Sequence, residues 1–484
     1  MNARGTIVLL VVALALGAWV WLVEIRGGEQ KAEAEAAARV IFSLDPASAS
    51  ALELVTSEDS QAVLVREGAG AREAGAVSKP TWKLTAPVAY PADADAVERA
   101  LRSLEKLAST ATIDARPADL EPFGLAAGRK RVAVKAGEGE PRTLYLGGDT
   151  PVGAGRYVEL ASDPNRLFVV SAGSLAGLAP SLAELRDKRL LRLAPDAVDE
   201  LSVRAGGALV VHARKTEAGW TLVAPESAPA DAERIRRVLD DLALGRASGF
   251  EDEPKPAKAY GLESPEVEIV ARAGDVEERL ELGAADSKTW LARAGDPVIL
   301  EVNERALTSV PRAYFDYRAK RVLTLGVEQL RAIELVYPRS GSTQRLKREG
   351  EVWKAEEAGV ELQADKVEEL AYALEAIDAT GLEEASSDRA QIGLEPALAT
   401  VRAYDEKGAL LGELSFGDPH PDRGLPALSS QSPLVWRVTN DLGRELPLSP
   451  EAFRNMLVKS APMPAPAPEP AAEPAAEETE PASP

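Results

Sequence analysis

The chain has 484 residues, a formal net charge of −21, 5% aromatic residues and no cysteine. This length allows about three domains of ordinary size. The negative charge argues against a nucleic-acid interface, because the phosphate backbone requires a basic surface. The lack of cysteine excludes disulfides, thiolate catalysis and Cys-ligated metal sites.

An uncharged apolar run occupies residues 6–23. Eighteen helical residues span about 27 Å, enough for the hydrocarbon core of a bilayer. Arg4 precedes the run, and Trp19 and Trp21 lie near its far end, where indole rings favour the membrane interface. We therefore expect residues 1–5 in the cytoplasm, a signal-anchor at 6–23 and the bulk of the chain in the periplasm, on a single-pass protein of the inner (cytoplasmic) membrane. A cleaved secretory signal is the alternative, and it places the globular part on the same side.

Two segments of biased composition frame the globular region. Residues 24–39 contain many Glu, Lys and Ala residues, which favour a helix, and we expect a helical stalk there. Residues 461–484 are almost entirely Pro, Ala and Glu. Because such a segment has no apolar periodicity, it cannot offset the entropy of ordering, and we expect a disordered tail.

One pattern occurs three times between the stalk and the tail. A strand with Trp is followed by an Ala-Asp pair that opens a helix, a Gly-Leu pair, and a strand that ends in Gly. The three sets are Trp82, Ala94-Asp95, Gly124-Leu125 and Gly147; Trp220, Ala230-Asp231, Gly261-Leu262 and Gly283; and Trp353, Ala364-Asp365, Gly393-Leu394 and Gly417. The period of about 135 residues suits a small domain better than a solenoid repeat. We predict repeat domains at 40–190, 191–322 and 323–460.

Each copy has the pattern of a sheet that carries one helix. Two alternating strands open the first copy at 51–55 and 62–66, and their period of two indicates one buried face. Val97, Leu101 and Leu104 then give the apolar stripe of a helix that lies on a sheet. The expected fold class is α+β, with three tandem repeats that each form a mainly antiparallel sheet with a packed helix, after one N-terminal transmembrane helix.

Residues that recur in all three copies are interpreted as structural, since an enzyme rarely needs three equal active sites. We expect the three tryptophans to fill three equivalent cores, with ligand platforms as the alternative. Asp95, Asp231 and Asp365 are predicted to cap the three helices, the first and last with a Glu three positions later.

An arginine-bearing segment closes each copy, at 185–190, 317–322 and 453–457. In the first two copies it leads directly into the first strand of the next copy. We therefore interpret it as a domain junction whose basic residues pair with acidic neighbours. A basic ligand-binding loop is the alternative.

Motifs for catalysis, cofactors and metals are not found. His212 and His420 are the only histidines, and two ligands cannot form a zinc site alone. The Gly-Asp-Pro-His-Pro-Asp loop around His420 is more typical of a polar turn. The Gly-rich stretches 147–150 and 153–155 lack the Lys-Ser/Thr of a phosphate loop and are interpreted as hairpin turns. We predict no catalytic, cofactor-binding or metal-binding residues.

The ordered set of motifs resembles the bacterial family called domain of unknown function 4340, over roughly residues 40–458. The third copy departs from it, because no proline follows Trp353 as Pro87 and Pro225 follow the other tryptophans, and because residues 420–432 have a loop-like composition. The resemblance implies a membrane-anchored envelope protein without assigned catalytic residues. It also implies an association with gliding-motility-type ABC transporter auxiliary proteins, beside which members are often encoded.

We therefore expect a non-catalytic extracytoplasmic scaffold with protein partners in the envelope, as an accessory of an ABC-type transport or gliding-motility-like complex. One alternative is a module that binds envelope glycan or peptide through Trp290, Tyr314, Phe315 and Tyr317. Exposed, clustered rings would favour it. The other is a hydrolase, which would need a deep pocket with paired carboxylates in one copy only.

Overall fold

The computed structural model describes residues 37–57, 60–67, 81–126, 129–178, 180–383 and 388–459. The predicted anchor, most of the stalk and the tail lie outside these ranges. Within them, no helix combines the length and the apolar character needed to cross a membrane. The chain divides into two compact units, one ending at Arg318 and the other beginning at Ala319.

The first copy forms a ten-stranded antiparallel sheet. Its strands are β1 (Val40–Ser43), β2 (Ala49–Ser57), β3 (Ser60–Glu67), β4 (Thr81–Ala86), β5 (Tyr90–Pro91), β6 (Lys106–Ile113), β7 (Lys130–Ala136), β8 (Arg142–Asp149), β9 (Gly155–Leu160) and β10 (Asp163–Ser171), and its helices are α1 (Ala94–Arg102) and α2 (Leu182–Leu185). The strand order across the sheet is β1-β6-β10-β9-β8-β7-β2-β3-β4-β5.

The second copy forms a nine-stranded antiparallel sheet. Its strands are β11 (Glu200–Ala205), β12 (Ala208–Thr216), β13 (Gly219–Ala224), β14 (Ala228–Pro229), β15 (Ala247–Glu251), β16 (Val267–Ala273), β17 (Val276–Ala285), β18 (Lys288–Arg293) and β19 (Ile299–Val302), and its helices are α3 (Ala232–Leu244), α4 (Arg305–Thr308) and α5 (Tyr314–Tyr317). The order is β14-β13-β12-β11-β16-β17-β18-β19-β15.

The third copy forms an eight-stranded antiparallel sheet. Its strands are β20 (Ala332–Tyr337), β21 (Ser342–Glu349), β22 (Val352–Ala355), β23 (Gly381–Leu382), β24 (Ala399–Tyr404), β25 (Leu410–Phe416), β26 (Leu425–Ser429) and β27 (Val435–Val438), and its helices are α6 (Ala364–Glu375) and α7 (Pro450–Leu457). The order is β22-β21-β20-β24-β25-β26-β27-β23. The prediction of a loop over 420–432 is wrong in part, because Leu425–Ser429 pairs with both β25 and β27.

All three sheets share one topology, which confirms the antiparallel repeat expected from the sequence. The first strand of each copy lies in the middle of its sheet: β2 between β3 and β7, β11 between β12 and β16, and β20 between β21 and β24. The helices α1, α3 and α6 each follow the strand at one edge and lead to a strand at or next to the other edge. Each helix buries its apolar stripe, with Val97, Ile235 and Val367 at equivalent positions.

The helix caps differ in part from the prediction. Asp231 caps α3 by accepting a hydrogen bond from the backbone N–H of Arg234. In the first copy the cap is Asp93, which accepts from Ala96 N–H at 2.9 Å, so Asp95 lies inside the first turn. In the third copy Gln363 stands at the cap and Asp365 lies inside the helix. Both errors are slips of two residues, because each first turn carries an acidic residue that suits the helix dipole.

Glycines shared by the three copies allow a close backbone approach. Gly124, Gly261 and Gly393 adopt positive φ of 65°, 70° and 74°. A Cβ added to Gly147, Gly283 or Gly417 would lie only 2.3–2.4 Å from the carbonyl oxygen of Phe123, Gly261 or Ile392 respectively. The Gly-Leu turn of each copy therefore packs on its Gly-ended strand. The interpretation of 147–150 as a hairpin turn is wrong, because Gly147 and Gly148 lie within β8.

The tryptophans take part in the core of each copy. Trp82 and Trp353 are buried, and Trp220 is half-buried against the core of the second copy. Pro87 and Pro225 directly follow β4 and β13, as expected for residues that cannot donate to the next ladder position.

Candidate functional site

The segment between the first and second copies holds the first group of buried charges. Arg186 is buried, pairs with Asp252 at 2.7 Å, and places its guanidinium 4.9 Å from the centroid of the Phe250 ring. Asp187 is also buried and accepts hydrogen bonds from the backbone N–H and the Nε of Arg189. Burial alone would raise the pKa of Asp187, but the hydrogen bonds and charge of Arg189 outweigh it and hold the pKa below its usual value.

Arg192 extends this group into the second sheet. Its guanidinium donates to both carboxylate oxygens of Asp296, at 3.1 and 2.8 Å. Arg293 donates to Asp296 at 2.8 Å and to the backbone carbonyl of Leu190 at 2.7 Å. The backbone N–H of Arg192 donates to Glu278, whose pKa is raised by burial. Arg293 is buried, and Arg192, Asp296 and Glu278 are half-buried. The two arginines pair with Asp296, and pairing of this kind is the condition under which a protein interior accepts charge.

Tyr90 links the first two copies through apolar packing. It lies on β5 of the first copy but is fully buried with the core of the second copy. Its ring meets Phe250 edge to face with centroids 5.7 Å apart, and the Arg192 guanidinium lies 5.1 Å from its centroid. The segment 186–192 is therefore a junction with internally paired charges, as the sequence suggested. The pairing of its charges gives no support to the alternative of a basic ligand-binding loop.

Three of these charged positions are neutral in the third copy. Thr324 stands where the second copy has Arg192, and its backbone N–H and carbonyl both bond to the side-chain amide of Gln431 at 2.9 Å. Gly412 and Ser429 stand at the positions of Glu278 and Arg293. In the third copy, the segment that enters the sheet is thus held by the neutral side-chain amide of Gln431. The pairing of Arg192 and Arg293 with Asp296 therefore has no counterpart at Thr324 and Ser429.

The segment at 453–457 is not equivalent to the other two arginine-bearing segments. The cap residues Asp93, Asp231 and Gln363 donate their backbone N–H to Leu185, Tyr317 and Leu457 respectively. The residue after each acceptor is Arg186, Arg318 and Val458. The third copy therefore has valine at the position of the arginine, and Arg454 belongs to α7.

Both histidines take part in local polar contacts. His212 on β12 makes a 2.7 Å contact with Glu200 on β11. The Nδ1 of His420 accepts from the backbone N–H groups of Asp422 and Arg423, in a polar turn. Across the described ranges, no group of three or more His, Asp or Glu side chains could hold a metal ion.

The aromatic residues proposed as a ligand platform do not form an exposed face. Trp290 and Tyr317 are buried, and Tyr314 and Phe315 are half-buried. Trp290 packs edge to face against Tyr260 with centroids 4.9 Å apart, in a small apolar cluster. The hydroxyl of Tyr314 donates to the carbonyl of Glu226 at 2.9 Å. These four residues give the glycan or peptide alternative no platform.

A cleft of about 550 Å³ lies on the third copy, within the size range of ligand pockets. Its walls are the turn at Val327–Gln329, the end of β21 and the outer face of α6. Glu368 on α6 accepts from the indole N–H of Trp353 at 2.8 Å and pairs with Arg348 at 3.4 Å. Tyr372, one turn further along α6, also lines the cleft and is 58% exposed.

This cleft was not anticipated from the sequence. Its lining residues come from three segments, and nothing in the local pattern at Gln329, Arg348 or Tyr372 joins them. A comparison of the copies position by position offers a signal, because Tyr372 stands where α1 has Arg102 and α3 has Asp240. An aromatic residue on an otherwise charged helix face is that signal.

Comparison with known proteins identifies one family. The model described as Domain of unknown function (DUF4340) matches residues 82–221, 220–382 and 353–460. The three matches begin at Trp82, Trp220 and Trp353, so the family unit recurs with the repeat seen in the sheets. No curated protein and no solved structure matches the chain. Because the matches together cover most of the sequence, the chain belongs to the DUF4340 family.

Proposed function

We propose that this protein is a non-catalytic scaffold, anchored in the cytoplasmic membrane by residues 6–23, that presents its three repeats to protein partners in the envelope. The observation that carries this proposal is that the residues shared by the three copies have structural roles. The glycines and tryptophans common to the copies serve the fold, as the close approach of Gly283 to Gly261 and the burial of Trp82 illustrate. Outer positions such as that of Tyr372 differ between the copies, and binding functions concentrate on loops and outer faces.

The charges at the first junction also support a structural role. Asp187, Asp296 and Glu278 each accept a hydrogen bond from an arginine side chain or backbone. A hydrolase would need carboxylates directed into a pocket. The third-copy cleft is lined by Glu328, Glu368 and Glu375, and Glu368 is held at one side by Trp353 and Arg348.

The partner we propose is an ABC-type envelope transporter or gliding-motility-like complex, as implied by the resemblance of the motifs to the DUF4340 family. Affinity purification of the full chain from detergent-solubilised membranes, after mild crosslinking, tests it. Transporter subunits identified by mass spectrometry would be the expected result. Their absence, while the bait is recovered intact, would contradict the proposed partner.

Localisation is tested separately. A reporter that is active only outside the cytoplasm, fused after Ser460, should be active in the full chain and inactive when residues 6–23 are deleted. A fusion that is active only with a cytoplasmic reporter would contradict the proposed orientation. The purification tests the proposed partner and the reporter fusion tests the proposed orientation, so either proposal can fail without the other.

A further inference from the structure

Tyr372 is the only exposed aromatic residue in the part of the chain that the structure describes. It lies on the outer face of α6, with 58% of its surface open to solvent, and it lines the cleft of the third copy. Aromatic rings are costly to expose and are enriched at binding surfaces. Its coincidence with a cleft of about 550 Å³ therefore points to a ligand.

The equivalent faces of α1 and α3 carry ion pairs instead. When the helices are aligned on buried Val97, Ile235 and Val367, Tyr372 falls at the position of Arg102 and of Asp240. In the first copy Arg102 pairs with Glu98 at 2.8 Å, and in the second copy Arg236 pairs with Asp240 at 3.6 Å. In the third copy tyrosine replaces one partner of this i, i+4 pair.

Loss of that pair frees Glu368 for other contacts. It stands at the position of Glu98, and it accepts from the indole N–H of Trp353 at 2.8 Å and pairs with Arg348 at 3.4 Å. The indole N–H of Trp82 in the first copy has no hydrogen-bond partner among the described residues. The third copy thus holds a carboxylate through two contacts, one helical turn before the exposed ring and in the lining of the same cleft.

The basic residue on the neighbouring strand has also changed its partner. In the first copy Arg66 donates to the carbonyl of Pro46, in the turn that precedes β2, at 2.9 Å. In the second copy the Nζ of Lys215 donates to the backbone carbonyl of Asp196, in the matching turn, at 3.5 Å. Arg348 occupies this strand position in the third copy and pairs with Glu368 on the helix. The cleft of the third copy is lined by the turn, by Arg348 and by the helix, and Arg348 stands at the position from which Arg66 and Lys215 bond to their turns.

The chemistry of the walls selects the class of ligand. The cleft has more acidic than basic side chains, with three glutamates (Glu328, Glu368 and Glu375) against two arginines (Arg331 and Arg348). This charge disfavours phosphate groups and nucleic acid as ligands. The polar walls offer little apolar surface to a lipid chain. An aromatic face surrounded by carboxylate, amide and guanidinium groups suits a sugar ring, which presents C–H bonds on its face and hydroxyls at its edge.

We propose that the cleft of the third copy binds a carbohydrate chain, with Tyr372 stacking against a sugar ring and with Glu368 and Gln329 bonding its hydroxyls. The proposal is independent of the scaffold function, since a protein can bind a glycan with or without a protein partner. It places the site on the third copy alone, on residues that the other two copies lack.

Isothermal titration of the full-length protein in detergent micelles tests this proposal. The probes are a tetrasaccharide of β-1,4-linked N-acetylglucosamine and maltotetraose, each at millimolar concentration. We expect one of them to bind, Tyr372→Ala to weaken that binding by about tenfold, and Tyr372→Phe to preserve it, because the stacking ring is retained. Tyr372 is exposed, so both variants should fold, which circular dichroism would verify.

Asp240→Ala is the matched control, because it alters the same helix position in the second copy. Its affinity for the probe should equal that of the wild type. Failure of both tetrasaccharides to bind the wild type, or equal binding by Tyr372→Ala and the wild type, would overturn the proposal. Chromatography of the titrated probe also reports on catalysis. Intact sugar is expected, and cleavage would contradict the non-catalytic function while leaving the binding site in place.

Discussion

Arg192 donates two hydrogen bonds to the carboxylate of Asp296, although the residues lie 104 positions apart in the sequence. Arg192 follows the junction between the first two copies, and Asp296 lies in the loop between β18 and β19. Arg293 shares the same carboxylate. This contact holds the segment that enters the second copy against that copy's own sheet.

Asp296→Ala should therefore be strongly destabilising. It leaves the buried Arg293 and the half-buried Arg192 without the Asp296 carboxylate, and the loss of one partner of a buried pair costs about 3–5 kcal/mol. Urea denaturation of the full chain would measure the change in free energy of unfolding. Glu369→Ala serves as the control, because Glu369 pairs with Lys366 on the exposed face of α6. A surface pair of this kind contributes at most about 1 kcal/mol.

Asp187 should make stability depend on pH in the acid range. Its pKa in the folded protein lies below the ordinary value of 3.8, so its stabilising effect is fully present above that value. The effect is lost as the pH falls through the folded pKa. The difference in free energy of unfolding between the wild type and Asp187→Asn should be constant near neutral pH and shrink below pH 3.8. A difference that grows as the pH falls would contradict this account.

Gly283→Ala tests the close approach of the Gly-Leu turn to its neighbouring strand. The added methyl would lie 2.4 Å from the carbonyl oxygen of Gly261, so the backbone must shift. We expect a loss of about 1–3 kcal/mol in the free energy of unfolding. Gly173→Ala is the control, because its nearest contact would be a serine hydroxyl at 3.7 Å. Equal stability of the two variants would show that the glycine is not needed for packing.

Tyr90→Ala tests whether the first two copies unfold together. The ring belongs to the first copy and is buried with the core of the second, so its removal opens a cavity between them. We expect a loss of about 3–5 kcal/mol and, in calorimetry, the separation of one transition into two. Tyr90→Phe keeps the ring and should retain the single transition. Two transitions already present in the wild type would contradict the coupling.

The repeated fold could be predicted from the sequence because its patterns are local. Apolar and polar residues alternate in segments such as 51–55 and 200–203, which predicts strands. The apolar stripe from Val97 to Leu104 predicts a helix. The cap of α3 at Asp231 could also be predicted from the sequence. The caps of the other two helices were misplaced by two residues, because Asp93 and Asp95 satisfy the same local rule.

The buried charges and the cleft could not be predicted in the same way. Arginine and aspartate are common in this acidic chain, and no local pattern pairs Arg192 with Asp296. The partners meet only after β17, β18 and β19 have assembled. Tyr372 offers a weak signal when the copies are aligned, but the turn and the strand that complete its cleft come together only in the folded sheet.

The central position of each copy's opening strand has a consequence for the order of folding. β11 needs β16 as its neighbour, and β15 needs β19, so the sheet remains incomplete until the last strand has been synthesised. The central strand of the second copy, β11, has only one neighbour until β16 has been synthesised. Such distant pairings slow folding. During synthesis, part of a copy therefore has to wait unpaired until its last strands become available.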